Sequence, residues 1–218
     1  MPHALDNPLW ASLTTLHAPL ALGAGDQLRY PAAVAPFVAV RDAATPFDRA
    51  TLTPGETVFF VGPRPSGLPL QDLGEILQMV SDTVAPVPDG PPIVSLDEPP
   101  RRADVLGLAA LVYPHYFRDR TPELGRYLGI YVGDTLAAMV GERMGMPGYR
   151  EISAVCTHPD FVGRGLARRL LTHLACDLHA RGVTPFLHVS PTNTRAVELY
   201  RHNGFVARRG MPFAALQA

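Results

Sequence analysis

The segment from Val155 to Ala180 constrains the fold most, because it joins a predicted strand, a loop with two glycines and a long amphipathic helix. The helix is predicted from Gly165 to Ala180, and Gly182 follows it as a C-terminal glycine. Its apolar face is formed by Leu166, Leu170, Leu171, Leu174 and Leu178. Since such a face needs a partner, we expect the helix to pack on a sheet.

The chain from residue 92 onward alternates strands and helices in a regular order. Strands are predicted at Ile93–Leu96, Tyr127–Tyr131, Thr135–Glu142, Glu151–Thr157, Pro185–Val189 and from Phe205. Two further helices are predicted from Arg102 to about Tyr113 and from Thr194 to Asn203. Gly133 and Asp134 are typical of a tight hairpin turn. The order predicts the α+β class, with helices packed on one sheet.

Proline separates an N-terminal region from the rest, since 16 of the 23 prolines lie in residues 1–100. The stretch 85–100 reads as a linker around one short strand, so we predict two domains, 1–90 and 91–218. In the first domain, a helix is predicted after Asn7 and Pro8, and the helical spacing of Leu9, Leu13, Leu16 and Leu20 extends it as far as Leu20. Three short strands are predicted at Pro36–Val40, Thr57–Val61 and Ile76–Val80. Without a catalytic spacing, this region is interpreted as a scaffold or a substrate wall.

Charge is distributed unevenly along the chain. Residues 1–100 carry 4 Arg and 11 Asp or Glu, whereas residues 101–218 carry 15 Arg and 9 Asp or Glu. The basic half is suited to a polyanionic ligand, but its arginines form no single stripe with aromatic residues, which disfavours nucleic acid. There is no lysine, which excludes Schiff-base chemistry at that residue. Without a signal peptide or membrane-spanning run, we expect a cytoplasmic protein that does not insert into membranes.

The glycine loop before the long helix has the features of an anion site. The first backbone N–H groups of a helix have no partner within it, and its dipole favours negative charge there. Gly163 and Gly165 allow unusual dihedral angles, and Arg164 and Arg168 add positive charge. The loop lacks the third glycine of a dinucleotide fingerprint and the Gly-Lys of a Walker loop. A tight strand-to-helix turn also needs glycine, so this loop alone does not decide the function.

A second group of residues follows the next predicted strand. Asn193 is placed at a helix entrance, and Tyr200 lies two turns later on nearly the same face. Singly, these residues are typical of a helix cap and a core tyrosine.

Together, the two segments resemble the GNAT acyltransferase superfamily, and its FR47-like branch in particular, over roughly residues 92–210. The loop matches the family's Arg/Gln-x-x-Gly-x-Gly/Ala motif at Val162, Gly165 and Ala167, where valine replaces the usual Arg or Gln. The second motif matches at Asn193, Ala196, Leu199, Tyr200, Gly204 and Phe205. The resemblance implies a mixed central sheet flanked by helices, here with an N-terminal α/β extension. Whether residues 1–90 are a degenerate copy of the same fold that extends the sheet stays open.

The resemblance also implies acetyl-CoA as co-substrate and a set of residues that bind it. Backbone groups of Val155, Cys156 and Thr157 would run beside the pantetheine arm, and the Asn193 side chain would bond to it. Amides of the loop and first helical turn would hold the pyrophosphate: Gly163, Arg164, Gly165, Leu166, Ala167 and Arg168. Arg164 would compensate for Val162.

The expected chemistry is direct attack of an amine on the thioester in a ternary complex. An amide near Cys156 or Thr157 would stabilise the oxyanion, and Tyr200 would protonate the leaving thiolate. His188 and Glu142 are the two candidates for the base, and surface or core roles are open for both. A covalent route through Cys156 lacks a triad, and buried thiols are expected for both Cys156 and Cys176.

The predicted acceptor is a primary amine of a small molecule or a peptide. The branch resemblance points to a glycine-like amine, and the acidic N-terminal half to a cationic one. No metal is expected, since the eight histidines show no zinc spacing, and a homodimer stays open. Two alternatives remain: a non-catalytic acyl-CoA sensor with the same fold, and a module that binds nucleotide phosphates through the glycine loop.

Overall fold

A large mixed sheet organises the chain in the computed structural model, which describes residues 3–83, 85–113 and 115–218. A small sheet contains β1 (Leu22–Ala24), β2 (Gln27–Arg29) and β3 (Val38–Val40). The large sheet contains β4 (Thr57–Val61), β5 (Gln71–Ser81), β6 (Val94–Ser95), β7 (Tyr127–Val132), β8 (Thr135–Met146), β9 (Tyr149–Thr157), β10 (Thr184–Val189) and β11 (Phe205–Gln217). The α-helices are α1 (Pro8–Leu13), α2 (Arg102–Val112), α3 (Leu166–Ala180) and α4 (Thr194–His202).

The order of the large sheet is β4-β11-β5-β10-β9-β8-β7-β6. β9 and β10 pair in parallel, and the other neighbouring pairs are antiparallel. The predicted fold class is therefore confirmed: a mixed sheet with helices packed on it. No helix in the described ranges is both long and apolar enough to cross a bilayer.

Helices cover the two faces of this sheet differently. On one face, Leu170, Leu171 and Leu174 of α3 are fully buried in a cluster that includes Val140 of β8 and Tyr200 of α4. On the other face, α2 packs on β8 and β9, and α1 packs on β8 near Met144 and Met146. A buried leucine side chain contributes roughly 1.5–3 kcal/mol, so the leucine face of α3 fixes this helix to the sheet.

The first helix is shorter than its leucine spacing predicts. Asn7 caps it and Pro8 occupies its first turn, as expected. It ends at Leu13, where the hydroxyl of Thr14 bonds to the Trp10 carbonyl at 2.7 Å, a local bond that weakens and bends a helix. Leu16, predicted on the apolar face, is instead 50% exposed.

The N-terminal region contributes two strands to the large sheet. β5 lies between β10 and β11, and β4 pairs with the outer side of β11. The division into domains at residue 90 stays a prediction, but the sheet runs across that point. Residues 57–81 are thus part of the scaffold that holds β10 and β11.

Candidate active site

The two parallel strands at the centre of the sheet separate halfway along their length. β9 and β10 pair only from Thr184 opposite Tyr149 to Phe186 opposite Glu151. Beyond that point β9 continues to Thr157, while β10 stays paired with β5. Within the described chain, the inner edge of β9 from Ile152 to Thr157 therefore has no neighbouring strand, and its backbone groups on that side line an opening.

β9 carries a bulge at this opening. Met139 lies opposite Cys156 and Gly141 opposite Ser153, so Ala154 and Val155 together face one residue of β8. Ala154 has a φ of +49°, which costs a non-glycine residue roughly 1–2 kcal/mol. A bulge bends its strand and redirects neighbouring backbone groups. Strain of this kind is typical of a functional site rather than of a structural strand.

The loop before α3 leaves the first turn of this helix uncapped. Gly163 and Gly165 have φ values of +86° and +73°, and no side chain caps the helix. The first intrahelical bond runs from Arg169 N–H to the Gly165 carbonyl. The preceding three N–H groups, those of Leu166, Ala167 and Arg168, make no hydrogen bond to the described residues. A cavity of 490 Å³ lies against this turn, so these groups face space that an anion can occupy.

Arginine side chains surround the same cavity. Arg164 lies over the Phe161 ring at 4.9 Å from its centre, and Arg168 Nε donates to Asn203 Oδ1 at 3.3 Å. Arg195, from the first turn of α4, also lines the cavity, although it was not among the residues predicted to bind the cofactor. The lining is therefore positive where the helix amides are free.

Asn193 and Tyr200 lie where this cavity meets a second one of 580 Å³. Asn193 Oδ1 accepts from Ala196 N–H at 3.2 Å and so caps α4. The Tyr200 side chain is buried and makes no hydrogen bond to the described residues. Burial, with smaller contributions from Cys156 and Tyr113, raises the pKa of Tyr200. Its hydroxyl therefore stays protonated at neutral pH.

Nine of the ten residues predicted to bind the cofactor line the first cavity. The tenth, Cys156, lines the second cavity beside Tyr200. Its thiol is buried, and this burial raises its pKa to about 12. Because the thiolate is the nucleophilic form, this environment argues against a covalent route through Cys156.

Glu142 lies away from these two cavities. Its side chain lines a third cavity of 670 Å³ and accepts from Arg126 at 2.6 and 2.9 Å. Arg150 is a second ionic neighbour at 3.6 Å. Arginines hold this carboxylate in a cavity that Tyr200 does not line, so the structure does not bring Glu142 together with the other predicted site residues.

His188 lines the second cavity but has no nitrogen available for a substrate. Gln78 Oε1 accepts from Arg208 at 2.9 Å, and Gln78 Nε2 donates to the Leu5 carbonyl at 3.0 Å, which fixes the amide orientation. Gln78 Nε2 must then also donate to His188 Nε2, 3.1 Å away. The other nitrogen, Nδ1, donates to Glu151 at 2.7 Å. This geometry argues against the prediction that His188 removes the proton from the amine.

Glu151 is the centre of this buried polar network. It accepts from Arg143 Nε and Nη2 at 2.7 and 2.6 Å and is completely buried. Burial alone would raise the pKa of Glu151, but the Arg143 charge and hydrogen bonds lower it to about 2. The Arg143 guanidinium also lies 5.0 Å from the centre of the Phe37 ring in the second cavity.

The second cavity has a lining that sequence reasoning did not identify. Glu75 lines it together with aromatic residues from three distant parts of the chain: Phe37, Tyr113, Tyr116 and Phe213. Glu75 lies in β5, one residue before the predicted strand begins. Neither spacing nor composition connects these positions, because only the sheet order brings them together.

Comparisons with known proteins identify a matching family and several related structures. A family model described as FR47-like protein matches residues 127–213. An acetyltransferase of the GNAT family from Novosphingobium aromaticivorans has a solved structure that is 32% identical, with 98% of each chain covered and a TM-score of 0.84. A GCN5-related N-acetyltransferase from Kribbella flavida is 15% identical, with 94% of this chain and 93% of that chain covered and a TM-score of 0.63, which shows the fold alone.

Two curated bacterial proteins match shorter stretches. The [ribosomal protein bS18]-alanine N-acetyltransferase of Salmonella typhimurium is 46% identical over 52 residues, which are 23% of this chain and 35% of that protein. The N-alpha-acetyltransferase RimI of Mycobacterium tuberculosis is 38% identical over 82 residues, or 36% of this chain and 51% of that protein. The chain thus spans only about a third and about half of the lengths of these two relatives.

Proposed function

Because the chain belongs to the GNAT family of acetyltransferases, in its FR47-like branch, we propose that it transfers the acetyl group of acetyl-CoA to a primary amine by direct attack in a ternary complex. The observation that carries this proposal is the meeting of two cavities at Tyr200. One has the lining of a donor site, and the other has room for an acceptor.

The first cavity fits the phosphate-bearing part of acetyl-CoA. Free amides of Leu166, Ala167 and Arg168 face it, and arginines add positive charge. Helix N-termini bind phosphate groups in this way without needing a base-specific contact. The valine at position 162 removes one side-chain donor, but the backbone amides remain. We therefore assign the diphosphate to the first turn of α3.

The free edge of β9 fits the pantetheine arm, which carries amide groups. On the inner edge of β9, away from β8, the backbone N–H and C=O groups between Ile152 and Thr157 have no neighbouring strand within the described chain and can pair with such amides. The Asn193 Nδ2 group, which donates no hydrogen bond within the described chain, lies where the arm would pass from the first cavity to the second. Bound acetyl-CoA supplies an activated acetyl thioester.

Tyr200 is assigned as the proton donor to the thiolate that leaves when the nitrogen of the neutral amine bonds to the acetyl carbon, and the proton that this nitrogen then loses restores the Tyr200 hydroxyl. The Tyr200 side chain is buried and lines both cavities, and its hydroxyl is protonated at neutral pH. An acid that stays protonated at neutral pH is suited to this step. The bulge at Ala154 directs backbone groups of β9 into the same space, where an N–H group would stabilise negative charge on the carbonyl oxygen.

Binding measurements test this function most directly. Calorimetry with acetyl-CoA, ATP and NAD should show the tightest binding for acetyl-CoA, and a thiol-release assay should then detect turnover with amines. Tighter binding of ATP or NAD would contradict the donor site. Acetyl-CoA binding without turnover on any amine would instead favour a sensor.

A further inference from the structure

The second cavity limits what the acceptor can be. On the premise of the proposed function, we propose that the acceptor is a small cationic arylalkylamine without a carboxylate group. This class differs from a glycine-like acceptor and from the protein acceptor for which the Salmonella relative is named. The proposal rests on the aromatic wall of the cavity and on the balance of its charges.

The wall is a continuous cluster of rings. Tyr116 lies at its centre, 6.1 Å from Phe37, 5.7 Å from Tyr113 and 6.2 Å from Phe213 between ring centres. Phe59 supports it from behind, 4.9 Å from Tyr116 and 5.7 Å from Phe213. Aromatic pairs at these separations attract one another beyond their buried area. A ligand ring added to the cluster would extend the same packing.

Apolar side chains continue the wall toward solvent. Leu73 of β5 is 37% exposed and Val112 of α2 is 39% exposed, and both line the cavity. Exposed apolar groups beside a concave site are typical of a ligand-binding region. They favour an acceptor whose apolar body fills the cavity.

The charges of the cavity favour a cation over a zwitterion. Glu75 is exposed and forms no ion pair with the described residues, so its carboxylate is available to an ammonium group. Arg143, the arginine in the lining, is already neutralised by Glu151 through two hydrogen bonds. An acceptor carboxylate would therefore find no unpaired cation here, and its desolvation would go uncompensated.

A matched series of acceptors tests the proposal. Initial rates at fixed acetyl-CoA are compared for 2-phenylethylamine, propylamine, phenylalanine, spermidine and a peptide with N-terminal alanine. We expect kcat/KM for 2-phenylethylamine to exceed that for propylamine by at least about tenfold, since the ring adds buried aromatic area. We expect a similar margin over phenylalanine, which adds only the carboxylate.

Two variants assign the preference to this cavity. Tyr116→Leu should lower kcat/KM for 2-phenylethylamine by about tenfold while changing that for propylamine by less than about twofold. Glu75→Gln should raise KM several-fold for both amines, because each carries the ammonium. The KM for acetyl-CoA should stay unchanged in both variants, which controls for folding.

The outcomes separate the two proposals. Preference for phenylalanine, spermidine or the peptide, with turnover that still needs Tyr200, would overturn the acceptor class and leave the acetyltransferase intact. An equal fall of kcat/KM for 2-phenylethylamine and for propylamine in Tyr116→Leu would also overturn the acceptor class. Failure of acetyl-CoA to bind would overturn the proposed function itself.

Discussion

Tyr200 is the residue on which the proposed chemistry depends. Replacing it with phenylalanine removes one hydroxyl and keeps the ring that packs on Phe205, 6.0 Å away. We expect kcat to fall about 10²- to 10⁴-fold, because general acid catalysis contributes this much. Thiol release measures the rate, and calorimetry should show an unchanged Kd for acetyl-CoA. An unchanged kcat would contradict the assignment.

Tyr131 offers a matched control for that substitution. Its hydroxyl donates to Asp104 at 2.6 Å, on an exposed contact away from the two cavities. Tyr131→Phe should therefore leave kcat within about twofold of the wild-type value, since exposed contacts of this kind contribute little. A comparable loss in both variants would mean that the effect of Tyr200→Phe is not specific.

Glu151 supports the site through stability rather than chemistry. Glu151→Gln should reduce the free energy of unfolding at pH 7 by about 3–5 kcal/mol, because it leaves Arg143 buried without its partner. Urea unfolding measures this change. Glu123→Gln, which breaks a more exposed pair with Arg120, should cost much less.

The same carboxylate predicts a direction of pH dependence. Its pKa in the folded protein is lowered to about 2, below the value of roughly 4.3 in an unfolded chain. Its stabilising contribution is therefore complete above about pH 5 and is lost as the pH falls toward 2. The wild-type protein should lose more stability over this window than Glu151→Gln. Parallel pH curves would contradict the role of the ion pair.

At the scale of elements, the two ends of α3 allow cofactor binding and helix stability to be tested separately. Gly165 and Gly182 lie at its two ends with φ values of +73° and +71°, and an added Cβ meets no atom within 4 Å at either position. Changing either glycine to alanine should cost roughly 1 kcal/mol of stability, since alanine is strained at such angles. Thermal unfolding should show the two losses to be similar.

Of these two glycines, only Gly165 lines the first cavity, which we assign to acetyl-CoA. Gly165→Ala should therefore raise the Kd for acetyl-CoA several-fold by tilting the first-turn amides, whereas Gly182→Ala should not change it. Calorimetry distinguishes the two. Equal affinities in both variants would show that the first turn of α3 does not hold the diphosphate.

The elements also show how much of the site could be predicted from the sequence alone. Local signals were sufficient for the loop at Gly163 and Gly165, the cap at Asn193 and the position of Tyr200, because backbone conformation and helix spacing determine them. The roles of Glu142 and His188 could not be predicted from such local signals. Their roles depend on partners that the sheet brings from distant positions, such as Arg126 and Gln78. Glu75 was missed for the same reason.

At the scale of the whole molecule, the N-terminal region contributes residues to the lining of the site. β5 separates β10 from β11 in the sheet, and Phe37 and Glu75 line the second cavity. Hydrogen bonds tie the region to the rest, such as Gly145 N–H to Ser12 Oγ at 3.1 Å and Arg208 to Asp6 at 2.6 Å. The first cavity, in contrast, is lined entirely by residues after 154.

This arrangement predicts how the chain responds to a cut in its proline-rich linker. A protease site inserted at residues 86–92 should be cleaved without separating the two pieces, because β5 is hydrogen-bonded on both sides within the sheet. Gel filtration should show one species that still acetylates amines. Residues 91–218 produced alone should aggregate, since β10 and β11 would each expose an unpaired edge. A soluble, active fragment would instead support two independent domains divided near residue 90.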